Sequence, residues 1–136
     1  MEATNIPFVK SLEIRQDDKV LSLQYKEDIL NHIETIHAGA QFTLAETQSG
    51  VFLQNLFPEL QGRVIPLLRD SKIKYKKPAQ SKIIAKASVD EDVVVKFKKQ
   101  FEKRGRGSIE VFVDIYDAND VLVCEASFTW FVSVVI

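Results

Sequence analysis

An asparagine, a histidine and a carboxylate share sixteen residues of this chain, the stretch from Asn31 to Glu46 that reads "NHIETIHAGAQFTLAE". On a helix, positions three or four apart share a face, so Phe42, Glu46, Gly50 and Leu53 lie roughly in line and Glu46 sits among apolar neighbours. A carboxylate so placed faces a solvated groove, pairs with a cation, or is desolvated and holds its proton more tightly. The last condition suits a general base. His37 directly precedes the helix and Asn31 stands in a polar connector, where each also reads as an ordinary terminal or turn residue.

The elements that must position these residues follow from hydrophobic periodicity. "SLEIRQDDKVLSLQY" alternates at Leu12 and Ile14, breaks at Asp17-Asp18-Lys19 and alternates again at Leu21, Leu23 and Tyr25, which predicts a β-hairpin. The proline-free run that follows predicts one long helix from about Ala38 to Leu56, ending before Pro58. Gly39 and Gly50 lower its propensity by up to ~1 kcal/mol each relative to Ala and point to close backbone approach. Two strands then join around Lys77-Pro78-Ala79, the second placing Ile83, Ala85, Ala87 and Val89 on one face. "DEDVVVKFKKQFEKRGRG" predicts a short surface helix with a Val93, Phe97, Phe101 stripe, closing at Gly105 and Gly107. A last hairpin turns at "DAND" and places Cys124, Ala126, Phe128, Trp130 and Val132 on one side. Strands packed on one dominant helix argue for an α+β domain with a mostly antiparallel sheet wrapped around that helix. The uncharged tail "FVSVVI" would be hazardous as a bare sheet edge, which a homodimer would cover.

Composition narrows the function classes. The chain has 136 residues, 46% hydrophobic, enough for one domain with a single core. Its net charge of −1 conceals a division: residues 63–106 hold 14 Lys+Arg against 5 Asp+Glu, while residues 1–62 hold 4 against 9 and residues 107–136 hold none against 5. A basic middle in an acidic protein suggests a local anionic partner. The pI of about 6.1 and the lack of a nucleic-acid-binding signature argue against nucleic acid. No apolar run approaches the ~20 residues that span a bilayer, so no membrane insertion is expected. One cysteine and an N-terminus without a signal-peptide pattern predict a cytoplasmic location. His32, His37 and the lone Cys124 form no metal-binding constellation, so no metal and no separate cofactor are expected.

Jointly, the spacing of the opening residues resembles the "N, several residues, H-G-G, then L-A-D or L-A-E" segment of the hot-dog fold acyl-CoA thioesterases, the branch of phenylacetate-pathway and small fatty-acyl enzymes. Asn31, His37, Gly39 and Glu46 stand in register with it, and Tyr75 and Pro78 in "YKKPA" resemble the family's Y-x-x-P-A strand end. The basic helix before the last hairpin is similar to an uncharacterised thioesterase-like branch. The resemblance implies a hot-dog fold, a homodimer or homotetramer, and hydrolysis of an acyl-CoA or acyl-carrier-protein thioester. It implies that the Ala38 N–H at the helix start polarises the carbonyl, that Glu46 acts as general base or as nucleophile, and that Asn31, from the other subunit, binds the water or the carboxylate. His37 would shape the turn that presents Ala38, and Gly39 belongs to the same candidate catalytic segment. Lys77, Lys103, Arg104 and Arg106 are the cations expected near the coenzyme A phosphates, and the acyl chain is expected beside Phe42 and Leu53. The chain departs from the pattern at Glu34, at Ala38 in place of the first glycine, and near Leu68, where the family often has a hydroxyl. A non-catalytic module that binds acyl-CoA or a partner protein is the alternative; a hot-dog dehydratase is set aside because no "H-F-P-G" loop occurs.

Overall fold

The computed structural model describes residues 2–135. A short helix α1 (Pro7–Ser11) precedes a hairpin of β1 (Arg15–Asp17) and β2 (Val20–Leu23). The long helix α2 (Ala38–Leu56) is followed by β3 (Val64–Tyr75), β4 (Ile83–Ser88), α3 (Glu91–Arg104), β5 (Arg106–Tyr116) and β6 (Leu122–Val134). All strand pairs are antiparallel, in the order β1-β2-β4-β5-β6-β3. The sheet wraps α2, which is the hot-dog arrangement.

Two expectations need correction. Leu12 does not begin a strand: Pro7 supplies the fixed φ of a first helical turn, and Leu12 closes α1. The C-terminal strand is not an edge either. The two strands joined through Lys77-Pro78-Ala79 are β3 and β4, and they are not neighbours, because β3 pairs only with β6 while β4 lies between β2 and β5. Their connector crosses the start of α2, where the buried Ala79 accepts a 2.9 Å hydrogen bond from the Ile36 N–H. At the C-terminus, β6 runs between β5 and β3 as far as Val134, and Ile136 of the expected tail lies outside the described residues. The long exposed edge is β3, twelve residues with Ile65, Leu67 and Tyr75 open to solvent.

Helix α2 is buried on most of its circumference, including Leu44, Ala45, Val51 and Leu53, and also Gln41, Thr43, Thr47, Gln48 and Ser49. Burying polar side chains costs free energy unless they are paired. Thr43 and Thr47 return their hydroxyls to the carbonyls of Gly39 (2.9 Å) and Thr43 (2.6 Å). Gln48 spans to the hairpin, accepting from the Leu21 N–H (2.7 Å) and donating to the Lys19 carbonyl (2.9 Å). Ser49 accepts from Trp130 Nε1 (2.9 Å) and donates to the Glu46 carbonyl (2.6 Å). These bonds fix how α2 is rotated against β2 and β6. Helix α3 ends at Gly105 (φ +68°), the left-handed cap glycine favours, and buries Phe97 against Phe57. Gly107 lies close beneath it: a Cβ there would stand 3.1 Å from the Phe97 ring, which would have to shift slightly.

Candidate active site

Of the stripe drawn from the sequence, Phe42, Glu46 and Gly50 are partly exposed on α2, while Leu53 is buried. Phe42 packs edge-on against Phe128 of β6, ring centroids 5.5 Å apart, and a Cβ at Gly50 would touch the Trp130 indole at 3.6 Å. Glu46 lies between these anchors. Its carboxylate joins no ion pair and no side-chain hydrogen bond among the described residues, and burial raises its proton affinity above that of an ordinary carboxylate. Leu53, farther along, lines a cleft of about 580 Å³ with Val51, Phe57, Val64 and Val132. Phe42 is not part of that cleft.

At the start of α2, His37 is the cap residue: its Nδ1 accepts from the Gly39 N–H at 2.8 Å. The Ala38 N–H meets no acceptor among the described residues, and Ala38 itself is an exposed residue. The helix start thus keeps one free donor at its positive end. The Tyr75 hydroxyl donates to the Ala38 carbonyl at 3.0 Å, tying the end of β3 to this turn. Asn31 holds the preceding loop: its Oδ1 accepts from the N–H groups of Ile33 and Thr35 (both 3.0 Å), and its Nδ2 donates to Thr35 Oγ1 (2.7 Å). Glu34 is exposed in the left-handed region (φ +63°), its carbonyl accepting from the Tyr25 hydroxyl at 2.6 Å. Asn31, Ala38, Tyr75 and Lys77 line one groove of about 260 Å³, while His37 and Gly39 face a separate one beside Phe8.

Within one chain the predicted residues fall into separate groups. Eight residues of helix place Glu46 about 12 Å along the axis from Ala38, and neither groove at the helix start includes Glu46. The cations divide similarly. Lys77 follows the end of β3, whereas Lys103, Arg104 and Arg106 stand where α3 meets β5, beside the strand positions that pair with the beginning of β3. Some ten residues of extended strand, about 30 Å, separate the two places.

Two features escaped sequence reasoning. The register of β3 shifts between Leu68 and Asp70, and the Arg69 guanidinium lies over the Phe131 ring at 3.9 Å. The extra residue moves Ser71 opposite Phe128, so a hydroxyl does occur on the helix-facing side of β3, one step beyond Leu68. The other is Gln41, 4% exposed, whose Nε2 donates to the Ile36 carbonyl (3.0 Å) while its Oε1 has no partner among the described residues. Neither carries a sequence signal, because a bulge and an unmet acceptor depend on neighbours from distant segments. Cys124 is buried, with its thiol pushed up to about 12 chiefly by that burial, which makes it a poor nucleophile. No cluster of His, Cys, Asp and Glu suited to a metal ion occurs among the described residues, and no helix among them is long and apolar enough to cross a membrane.

Residues 4–132 match the family model described as "Domain of unknown function (DUF4442)". No curated protein matches the sequence. Among solved structures, the chain is similar to PA5026 of Pseudomonas aeruginosa, a protein of unknown function and probable thioesterase: TM-score 0.84, 22% identity, 98% of this chain and 91% of that one. It is similar to thioesterase HI1161 of Haemophilus influenzae, TM-score 0.75 at 18% identity over 96% and 85% of the two chains. BH2602 of Bacillus halodurans, whose structure was determined with CoA, aligns with TM-score 0.71 and 20% identity over 92% of this chain and 74% of that one. At these identities the likeness is one of fold.

Proposed function

We propose that this chain, which belongs to the DUF4442 family, hydrolyses acyl thioesters carried on coenzyme A or an acyl carrier protein. The observation that carries this reading is Glu46, a half-buried carboxylate without a cationic or hydrogen-bonding partner among the described residues, on the same helix whose first N–H, at Ala38, is free. A carboxylate with raised proton affinity suits proton abstraction from water, and an unpaired N–H at a helix start suits an oxygen that gains negative charge. The thioesterase among the similar folds, and the one determined with CoA, support the same substrate class.

In this reading Glu46 takes a proton from water as the water oxygen bonds to the thioester carbon. The Ala38 N–H stabilises the resulting oxyanion; its collapse breaks the C–S bond, and the thiolate leaves with a proton. Because Ala38 and Glu46 of one chain are about 12 Å apart, the helix start of one copy must serve the Glu46 of another. The β3 edge supports such a pairing, since a long exposed strand with Leu67 54% open is a template for a second chain. The acyl chain would run from Glu46 toward the cleft at Val51 and Leu53. Lys77, at the groove beside Ala38, would meet the phosphate-bearing arm.

The test is hydrolysis of a panel of acyl-CoA thioesters by the wild type and by Glu46→Gln, with CoA binding measured for both. Turnover by the wild type and its loss in a variant that still binds is the expected result. Binding without turnover, unchanged by the substitution, would replace this reading with a non-catalytic acyl-CoA-binding module.

A further inference from the structure

The cleft of about 580 Å³ at the far end of α2 from Ala38 has twice the volume of either groove at the helix start and is of the size that holds small molecules. Its apolar lining comes from Val51, Leu53, Phe57, Val64 and Val132. Its polar lining consists of four amides, Gln16, Gln54, Asn55 and Gln61, and one carboxylate, Glu2. No Lys, Arg or His lines it among the described residues. Arg15 and Arg63 adjoin lining residues in the chain without lining the cleft, and so does Lys98, whose Nζ lies over the Phe57 ring at 5.9 Å.

Leu53, Gln54 and Asn55 belong to the last turn of α2, which holds no basic side chain, whereas the last turn of α3 holds Lys103 and Arg104. The carbonyl end of a helix is the negative end of its dipole, and a cation there ordinarily offsets it. At this cleft the helix end and Glu2 therefore act with the same sign. The amides can hydrogen-bond an oxygen, but they bring no positive charge to an ionised one, and taking an ion out of water without a counter-charge is costly. Leu53 stands on the stripe of Glu46, about 10 Å farther along the axis. Three bonds of an extended chain cover about 3.6 Å, so an acyl group of roughly ten carbons whose thioester lies at Glu46 brings its far end to the cleft. We propose that the cleft receives the far end of an uncharged acyl chain and discriminates against a chain that ends in a carboxylate, with Gln54 as the specificity-determining position. The inference rests on the thioesterase reading and deepens it by naming the class of acyl group.

The experiment compares dodecanoyl-CoA with the CoA monothioester of dodecanedioic acid, which share the thiol arm and the chain length and differ in the charge at the far end. The wild type is expected to favour the methyl-ended chain by about 10²-fold in kcat/KM, the scale of a desolvated charge left unpaired. Gln54 is exposed on its helix, and Gln, Lys and Glu have similar helix propensities. Gln54→Lys supplies the missing cation and is expected to narrow the ratio by about 10-fold, less so in high salt; Gln54→Glu is expected to widen it. An equal or reversed preference in the wild type overturns the proposal, as does a ratio that neither variant moves, since a preference made elsewhere along the chain would ignore the charge at position 54. Cleavage of short acyl-CoA thioesters with neither dodecyl chain accepted overturns it as well. Should one variant fail to fold, the wild-type ratio and the other variant decide. Should the wild type cleave no thioester at all, the hydrolase reading falls separately, and calorimetric binding of the same two thioesters then decides the role of the cleft: tighter binding of the methyl-ended chain, with a gap that Gln54→Lys narrows, supports it, and equal binding or none overturns it.

Discussion

Gln41 and Gln48 lie two turns apart on the same helix and are about equally buried, 4% and 3% exposed, yet the structure treats them oppositely. Gln48 uses both ends of its amide to tie α2 to the β1–β2 turn. Gln41 uses one end and leaves the other buried without a partner. Glu46, between them in the chain, shares the condition of Gln41: polar, partly desolvated and without a partner among the described residues. One part of α2 is therefore built for holding the sheet, and the helix start together with the half-exposed stripe is built for something the chain does not itself supply. Unmet polar groups oppose folding, so each of these two places on the helix is a candidate for contact with a partner from outside the chain.

The largest expected effect falls on Glu46. Glu46→Gln should lower kcat for any thioester the wild type cleaves by about 10²- to 10⁴-fold, the range of a lost general base. Activity of the wild type should rise with pH through a midpoint above the ordinary carboxylate value, because the deprotonated form is the active one. Stability should run the other way. A carboxylate whose proton is held more tightly in the folded state contributes stability below its unfolded pKa and loses that contribution as pH rises through its folded pKa. Glu46→Gln should thus raise the Tm at neutral pH and do so less as the pH falls, checked by thermal melts across that range. A variant less stable than the wild type at neutral pH would place Glu46 among the structural residues.

Next in size is the contrast between the two glutamines. Gln48→Leu strands the Leu21 N–H and the Lys19 carbonyl and should destabilise by about 2–3 kcal/mol. Gln41→Leu removes an acceptor that was already unmet and strands one group, the Ile36 carbonyl, so it should cost less, about 1 kcal/mol. Urea unfolding of the two variants measures the difference directly, and equal losses would erase the division of the helix drawn above. Trp130→Phe deletes the Nε1–H bond to Ser49 and also the benzo-ring atoms that face Gly50, and should cost about 2 kcal/mol. The smallest effect is a change in selectivity. On the proposed acyl path, Gly50→Val should leave the rate on short acyl groups within a few-fold and reduce that on long ones, because a side chain there packs against the Trp130 indole beside Glu46; a panel of chain lengths reads it.

Much of this architecture was legible in the amino acids. The span Ala38–Leu56 could be read from an unbroken helical composition ending at proline, and the last hairpin from strict alternation that buries Cys124 through Val132 on one side. The stripe Phe42, Glu46, Gly50 followed from helical periodicity alone, and the structure keeps it half-exposed. These are local properties, set by side-chain period and backbone propensity within a few residues. Strand order was not legible: β3 and β4 are consecutive in the chain and at different places in the sheet, because the connector crosses the helix start and not a hairpin turn. Nor could sequence tell Gln41 from Gln48, or place Ser71 on the helix-facing side of β3. Each depends on whether a hydrogen-bonding partner or a register shift is delivered from a segment tens of residues away. The sequence by itself determined which residues could do chemistry and which face of α2 would carry them; the tertiary structure decided which were already satisfied, since a polar group is free or occupied only once the whole chain has packed around it.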